Sequence, residues 1–302
     1  MRTKQSVIAI VASLCTAFLV VIACSDNGLN ASGIKLFALC SIIAFLIQWI
    51  CFIPSWLFHS EKFFDLIGSA TYLTITIVAL IAVPEIDTRS VLLGLMVCTW
   101  GLRLGAFLFA RVKAVGHDVR FDLMKYNFTW FLMTWTIQGL WVVLTTAAAL
   151  SAITSSSQKG FGWIGTMGVI IWLLGFIIEI VSDEQKRRFR LNTENQNSFI
   201  NSGLWAWSQH PNYFGEILLW IGVSIVALPV LSGLQYVSFI SPIFVFVLLT
   251  KISGVPMLNS AAKKRWGNDP EFQKYKESTP VLFLRPPRRP VSYTHLTLPT
   301  KA

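Results

Sequence analysis

Charge is scarce in this sequence. Asp, Glu, Lys and Arg make up 13% of its 302 residues, while 54% are hydrophobic and the mean hydropathy is +0.60. A soluble domain carries about 25% charged residues, so a soluble globular protein is excluded. Acids are scarcer still, 15 against 25 Lys and Arg, for a formal net charge of +10. The basic residues gather in a few loops and the C-terminal tail, as topology signals or a phosphate site do, and not along a nucleic-acid face. Cysteine is limited to Cys15, Cys24, Cys40, Cys51 and Cys98, all inside apolar runs and without paired spacing. That argues against a disulfide framework or a thiolate metal site, and each reads as a small buried hydrophobe. His59, His117 and His210 are too scattered for a zinc or di-iron centre, which argues against a desaturase or metalloprotease. No Gly-x-Gly-x-x-Gly follows a strand, so any dinucleotide would be held without a Rossmann fold.

What is present in abundance is long apolar runs. A membrane-crossing helix needs about 20 mostly apolar residues, and eight stretches qualify: 6–24, 35–58, 64–83, 91–112, 128–153, 161–181, 214–231 and 237–251. The run at 6–24 is expected to stay as an anchor and not be cleaved. The last two are joined by only five residues, a tight helical hairpin, and a count of seven would follow if one segment were re-entrant. The expected fold is therefore all-α, a polytopic bundle of seven or eight transmembrane helices in a single domain over 1–290. Loops 112–127 and 182–212 and the tail after Lys251 are rich in Lys and Arg. Loops 25–33, 84–90, 151–160 and 232–236 hold few, Arg89 and Lys159 being the clear cases, and Ser155–Ser157 reads as a flexible turn. Eight spans with both termini cytoplasmic put every basic loop on one side. Several tryptophans, Trp56, Trp130, Trp163 and Trp205, fall near proposed interfaces and read as an aromatic belt. From residue 291 the composition changes abruptly to what reads as translated adapter sequence, so 291–302, with His295, is set apart from the fold.

The clustered polar chemistry lies between Glu179 and Trp220, at one membrane boundary. Asp183 and Arg187 are four apart, as are Lys186 and Arg190, so each pair shares a helix face. Such a face could cradle phosphates or simply anchor the chain. His210-Pro211-Asn212-Tyr213-Phe214-Gly215-Glu216 then opens the next span, with proline in the first turn and free backbone N–H groups able to hold an anion. Glu216 at that depth is costly unless paired or functional, with Arg187 or Arg190 as its partner or a cofactor hydroxyl as its ligand. Arg103 lies well inside its span, where pairing with Asp65, Glu179 or a cofactor phosphate is expected. Asp65 and Tyr72, seven apart, share a face of the third span. Each has a plain reading, a helix-terminal charge for Asp65 and a core tyrosine for Tyr72, beside that of catalytic acid. His117, Asp118, Arg120 and Asp122 form a charged loop that could close over a cofactor or stay solvated.

The stretch Glu179–Trp220 resembles the C-terminal domain of the steroid 5-alpha-reductase family, in its bacterial branch of membrane proteins. His210 to Glu216 is similar also to the sterol C14 and C7 reductases. The likeness covers about 130–285, including Gln138-Gly139, the Ser253-Gly254-Val255-Pro256 segment and Tyr275 to Pro280. It implies NADPH binding with Asp183, Arg187, Arg190, Asn212, Tyr213 and Glu216 on cofactor-contacting positions, and a bacterial inner membrane as location. By this reading the protein reduces a conjugated C=C of a sterol, isoprenoid or fatty-acyl lipid, with membrane lipids and a hydrophobic small molecule as its partners. Steroid reductases also carry a Gln-Glu pair before Leu-Pro-Ser and a Tyr on a later helix. Here Cys51-Phe52-Ile53 precede Pro54-Ser55 and Trp100 stands three before Arg103, which counts against a 3-keto steroid. Two alternatives stay open: an S-adenosylmethionine-dependent methyltransferase of the isoprenylcysteine type, where Gln209 replaces the usual arginine before His-Pro, and a non-enzymatic lipid-binding protein.

Overall fold

The computed structural model describes residues 3–115, 121–157 and 159–287, with the side chains of 111–115 left aside. The charged loop residues His117, Asp118 and Arg120 and the tail 291–302 lie outside the described residues. Among the described residues, eight helices are long and apolar enough to cross a membrane. Seven are α1 (Thr3–Cys24), α2 (Leu36–Leu57), α3 (Phe64–Ala82), α4 (Thr88–Val115), α5 (Phe128–Ile153), α6 (Trp163–Leu191) and α7 (Pro211–Ala227). The eighth is composite: a 3-10 segment (Gly233–Phe239), α8 (Ile240–Val247), a π turn (Leu248–Ile252) and, after a break at Ser253 and Gly254, α9 (Val255–Trp266). A short α10 (Pro270–Ser278) follows, and β1 (Asn30–Ala31) pairs with β2 (Ile34–Lys35) in one small antiparallel hairpin.

Local chemistry sets the ends. Asn127 caps α5 by accepting from the Trp130 backbone N–H at 3.1 Å, and Asp269 caps α10 by accepting from Glu271 N–H at 2.9 Å. Pro211, Pro256 and Pro270 stand in the first turns of α7, α9 and α10, where a missing N–H costs nothing. α6 outlasts its apolar run by about ten residues because Asp183 to Arg190 are good helix formers with paired charges.

α5 runs through the middle. Of its most apolar 18-residue window 83% is buried, against 28% for α1 and for α6, and it touches α1, α2, α3, α4, α7 and α8. Its lower half, Thr145-Thr146-Ala147-Ala148-Ala149, is small enough for close approach, and Thr146 returns its hydroxyl to the Val142 carbonyl at 2.7 Å. α1 answers with Ser6, Ser13, Ala17, Val20 and Cys24 as its buried stripe. Polar side chains pin the helices where lipid offers no partner: Gln48 Nε2 donates to Thr71 Oγ1 at 2.8 Å, and Gln138 Nε2 to the Phe64 carbonyl at 3.2 Å.

The loops sort into two ends. At one, Leu29 N–H donates to Thr154 O, Ser156 N–H to Asn27 O and Leu234 N–H to an Asp26 carboxylate oxygen. Arg89, 1% exposed, caps the carbonyls of Val226, Lys159 and Gly160 there. Ser155–Ser157 belongs to this lock, with Ser155 Oγ donating to Val230 O at 3.1 Å, and so is not the flexible turn its composition suggested. At the opposite end Lys125 pairs with the buried Glu61 at 3.0 Å and His59 meets the Lys125 carbonyl, while 192–210 docks on α9 and α10. The described parts of the loops expected to be basic share this second end.

Candidate active site

α6 and α7 are the most intimately packed pair, and glycines make that possible. The carbonyl oxygens of Gly175 and Gly215 each lie 2.6 Å from where the other's Cβ would stand, and Gly168 and Gly222 repeat the contact two turns away. Two helix backbones in contact bring their flanking polar side chains together as well. On α6, Glu179, Asp183, Lys186 and Arg190 follow one another at spacings of four, three and four, a single stripe. On α7, Asn212 and Glu216 stand one turn apart at the N-terminal end.

Arg103 of α4 closes the cluster. Its two terminal nitrogens donate to Glu179 Oε1 and Asp183 Oδ2, and its guanidinium stands 5.9 Å from the Phe176 ring centre. Asn212 Nδ2 donates to the other Asp183 oxygen at 3.2 Å. Glu179 Oε2 and Asn212 Oδ1 are buried and have no hydrogen-bond partner among the described residues. Of the three partners expected for Arg103, Glu179 is the one realised, with Asp183 added and Asp65 left at the start of α3. The pairing expected between Glu216 and Arg187 or Arg190 is corrected for Arg187: it projects from the outer face of α6, where it chelates Glu184 at 2.7 and 2.8 Å. At 100° per residue the positions 184, 187 and 188 centre about 120° around the helix from the stripe 179, 183, 186 and 190, with Arg187 on the flank of that stripe and drawn outward by Glu184. Tyr72 of α3 packs edge-on against Trp100 at 5.2 Å, which packs edge-on against Trp220 of α7 at 5.0 Å. Its hydroxyl has the Thr145 side chain and Glu216 as neighbours. Asp65 sits in the first turn of α3, two turns from Tyr72 and at the membrane edge. The structure therefore joins Tyr72 to the cluster and leaves Asp65 outside it.

Directly beyond the cluster, a cavity of about 450 Å³ opens between the end of α6, the connector 192–210, α9 and α10. Lys186, Arg190 and Arg265 line it, together with Phe199, Trp205, Trp266, Phe272 and Tyr275, and none of its lining residues is acidic. The Lys186 ammonium lies 4.3 Å from the Trp205 ring centre, and Trp205 Nε1 donates to Ser182 O at 3.0 Å. Trp205 is 3% exposed, so it is part of the site and not of an interfacial belt. His210, 5% exposed, stacks on Tyr213 at 5.4 Å and has both ring nitrogens without a partner. Burial and the neighbouring Lys186 charge push its titration down to about 4, so the imidazole is neutral at pH 7. Burial likewise pushes the Tyr275 phenol up, and that hydroxyl donates to the Trp205 carbonyl at 2.8 Å. Tyr213 in turn packs close to Gly254, where an added Cβ would stand 2.8 Å from the Tyr213 ring.

Sequence reasoning placed Tyr275 within the resemblance but assigned none of Arg265, Trp266, Phe272 and Tyr275 to the site, since they follow the last apolar run, 49 or more residues beyond Glu216. The available signal was the mixture of aromatic and cationic residues in a segment otherwise too polar for the membrane. Chemically the cavity suits a ligand that joins a planar ring system to more than one anionic group.

Comparison with known proteins agrees with this region. The family described as "Protein of unknown function (DUF1295)" matches residues 51–279. The steroid 5-alpha-reductase DET2 of Arabidopsis thaliana is 29% identical over 103 residues, 33% of this chain and 36% of that protein. The aligned part thus spans about a third of the length of that curated relative. No solved structure matches the chain with statistical significance.

Proposed function

Starting from the fact that the chain belongs to the DUF1295 family, whose matched region takes in the whole Glu179–Glu216 cluster, we propose that it is an integral-membrane oxidoreductase using NADPH to reduce a conjugated C=C of a lipid. The observation that supports the reading is the juxtaposition of two halves: a carboxylate–arginine cluster at the end of the apolar part of α6 and, one turn further toward the basic side, a cation-lined cavity with no acid among its described lining residues. The residues present fit the cofactor. Lys186, Arg190 and Arg265 offer charge-assisted donors to phosphates, aromatic walls offer faces to the bases, and the orphaned nitrogens of His210 offer one donor and one acceptor. Bound there, NADPH supplies a hydride to the alkene.

The chain's own groups have distinct parts in this reading. Arg103 holds Glu179 and Asp183 in place, so that the unpaired Glu179 Oε2 and Asn212 Oδ1 remain as fixed acceptors for ligand amide or hydroxyl donors. Glu216 stands beside them as a further acceptor. In this reading Tyr72 Oη, near Thr145, hydrogen-bonds the substrate carbonyl conjugated with the alkene and hands over its proton. The surrounding bilayer and the Tyr72–Trp100–Trp220 ladder exclude water. Sterols, isoprenoids and fatty-acyl chains all meet these requirements.

The methyltransferase alternative fares worse on charge. S-adenosylmethionine carries a sulfonium, an amine and a single carboxylate and lacks phosphate, a poorer complement than a dinucleotide to a cavity lined by Lys186, Arg190 and Arg265. The test is equilibrium binding to protein purified in mild detergent. NADPH binding in the micromolar range, weakened at least about tenfold by Arg190→Ala and by Glu216→Ala, supports the proposal. Binding of S-adenosylmethionine in place of NADPH overturns it.

A further inference from the structure

Resting on the dinucleotide reading, we infer that α9 and α10 build the subsite for the phosphorylated adenosine end, and that Arg265 recognises its ribose 2′-phosphate. The position of the chemistry fixes the orientation. The reacting end must reach Glu216, Asn212 and Tyr72, which lie on the membrane side of the cavity, so the adenosine end points to the mouth between the connector and α9. The three cations are ordered along that path. Lys186 is deepest, over Trp205 and one turn from Asp183, Arg190 comes one turn later on α6, and Arg265 stands opposite them on α9, at the exposed rim.

Arg265 is also held ready. Its Nη2 donates to the Gln196 carbonyl, and its guanidinium lies 5.0 Å from the centre of the Trp266 ring, while Trp266 Nε1 donates to Asn197 O at 2.7 Å. A guanidinium fixed through one nitrogen has its remaining N–H groups available for a dianionic phosphate. Beside it Phe199 packs on Trp266, Phe272 and Tyr275, with ring centres 6.0, 5.1 and 5.4 Å apart, a wall of the size and polarity of a purine face. Pyrophosphate is common to NADH and NADPH, and only the 2′-phosphate separates them. The outermost cation, on the element that also supplies the aromatic wall, is the one placed to detect it.

The probes are NADPH, NADH, adenosine 2′,5′-bisphosphate and adenosine 5′-monophosphate, titrated against the purified full chain and its variants. Arg265→Gln weakens NADPH and the bisphosphate about tenfold or more while changing NADH and the monophosphate less than about twofold. Arg190→Gln weakens both dinucleotides, and Arg265→Lys keeps part of the preference, which marks a charge effect and not a folding defect. Because Arg265 is exposed, the NADPH preference of the unaltered chain also falls with rising salt. If Arg265→Gln weakens both dinucleotides equally, or neither, the subsite assignment is wrong while the cofactor reading stands. If the unaltered chain binds neither dinucleotide, the cofactor reading itself fails, and this inference with it.

Discussion

Gly175 and Gly215 face each other across α6 and α7 with each carbonyl oxygen 2.6 Å from the place the other's Cβ would occupy. A Cβ at Gly215 would also meet the Glu179 backbone nitrogen at 2.7 Å. The glycine pair therefore sets how close Glu179 and Asp183 come to Asn212 and Glu216. In a bilayer, where apolar side chains gain nothing by leaving lipid for protein, such close backbone contact is a main source of helix association.

A larger residue at this point must separate the helices. Gly215→Val is expected to destabilise the protein by about 1–3 kcal/mol and to abolish nucleotide binding, because Asn212 and Glu216 move with α7. Gly160→Val, ahead of α6 at a position with nothing within 4 Å of a new Cβ, is the control and leaves both unchanged. Thermal denaturation and NADPH titration of the two variants check this. Equal behaviour of the two would mean that the seam does not position the site.

Much of this arrangement could be read from residue order. Twenty-residue apolar runs locate the spans because the bilayer demands internally satisfied backbone over a fixed thickness, and the count of eight follows directly. The stripe Glu179, Asp183, Lys186 and Arg190 follows from helical periodicity. Which face of α6 looks inward does not, since four-residue spacing links Asp183 to Arg187 as readily as it links 179 to 183. Only the glycine seam resolves that phase, and it turns Arg187 outward to Glu184. The break of the eighth span was also hidden, because hydropathy stays high through Leu248–Ile252 while the hydrogen-bond pattern changes to a π turn. The cavity wall from α9 and α10 depends on contacts about 70 residues apart in sequence, such as Trp266 to Asn197, that no local pattern encodes.

Arg103 is the counter-charge for two partly or fully buried carboxylates. Its removal leaves them uncompensated, which costs about 3–5 kcal/mol for a buried pair. Arg103→Met is therefore expected to lower the thermal midpoint sharply. The double variant Arg103→Met, Glu179→Met recovers part of the loss, because one unpaired charge is removed with its partner. A double-mutant cycle measures the coupling, and strict additivity would show that the pair does not act as a unit.

His210 makes stability depend on pH in a defined direction. Its folded-state titration lies at about 4, below the ordinary value of 6.5, through burial first and Lys186 second. The unfolded chain then binds the extra proton between these values, so stability is full above about 6.5 and declines as pH falls toward 4. The effect is at most about 3 kcal/mol by the linkage constant. Thermal midpoints measured from pH 7.5 to 4.5 should fall more steeply for the unaltered chain than for His210→Gln. Parallel curves would mean that the imidazole is not held neutral.

Tyr72 and Asp65 share a face of α3 but not a surrounding. Tyr72 is 8% exposed, near Thr145 and edge-on to Trp100, whereas Asp65 lies in the first turn, where a carboxylate complements the helix N-terminus. If the hydroxyl delivers the proton, Tyr72→Phe lowers the single-turnover rate of NADPH oxidation with a responding lipid by about 10²-fold or more, the usual range of general acid catalysis. NADPH affinity stays within about twofold, since the ring and its contact with Trp100 remain. Asp65→Asn leaves the rate within about threefold, its effect falling on the thermal midpoint. Rapid-mixing absorbance at the reduced-nicotinamide band reads both variants. A full rate in Tyr72→Phe together with a collapsed rate in Asp65→Asn would move the acid to the membrane edge and displace the cluster from the centre of the reaction.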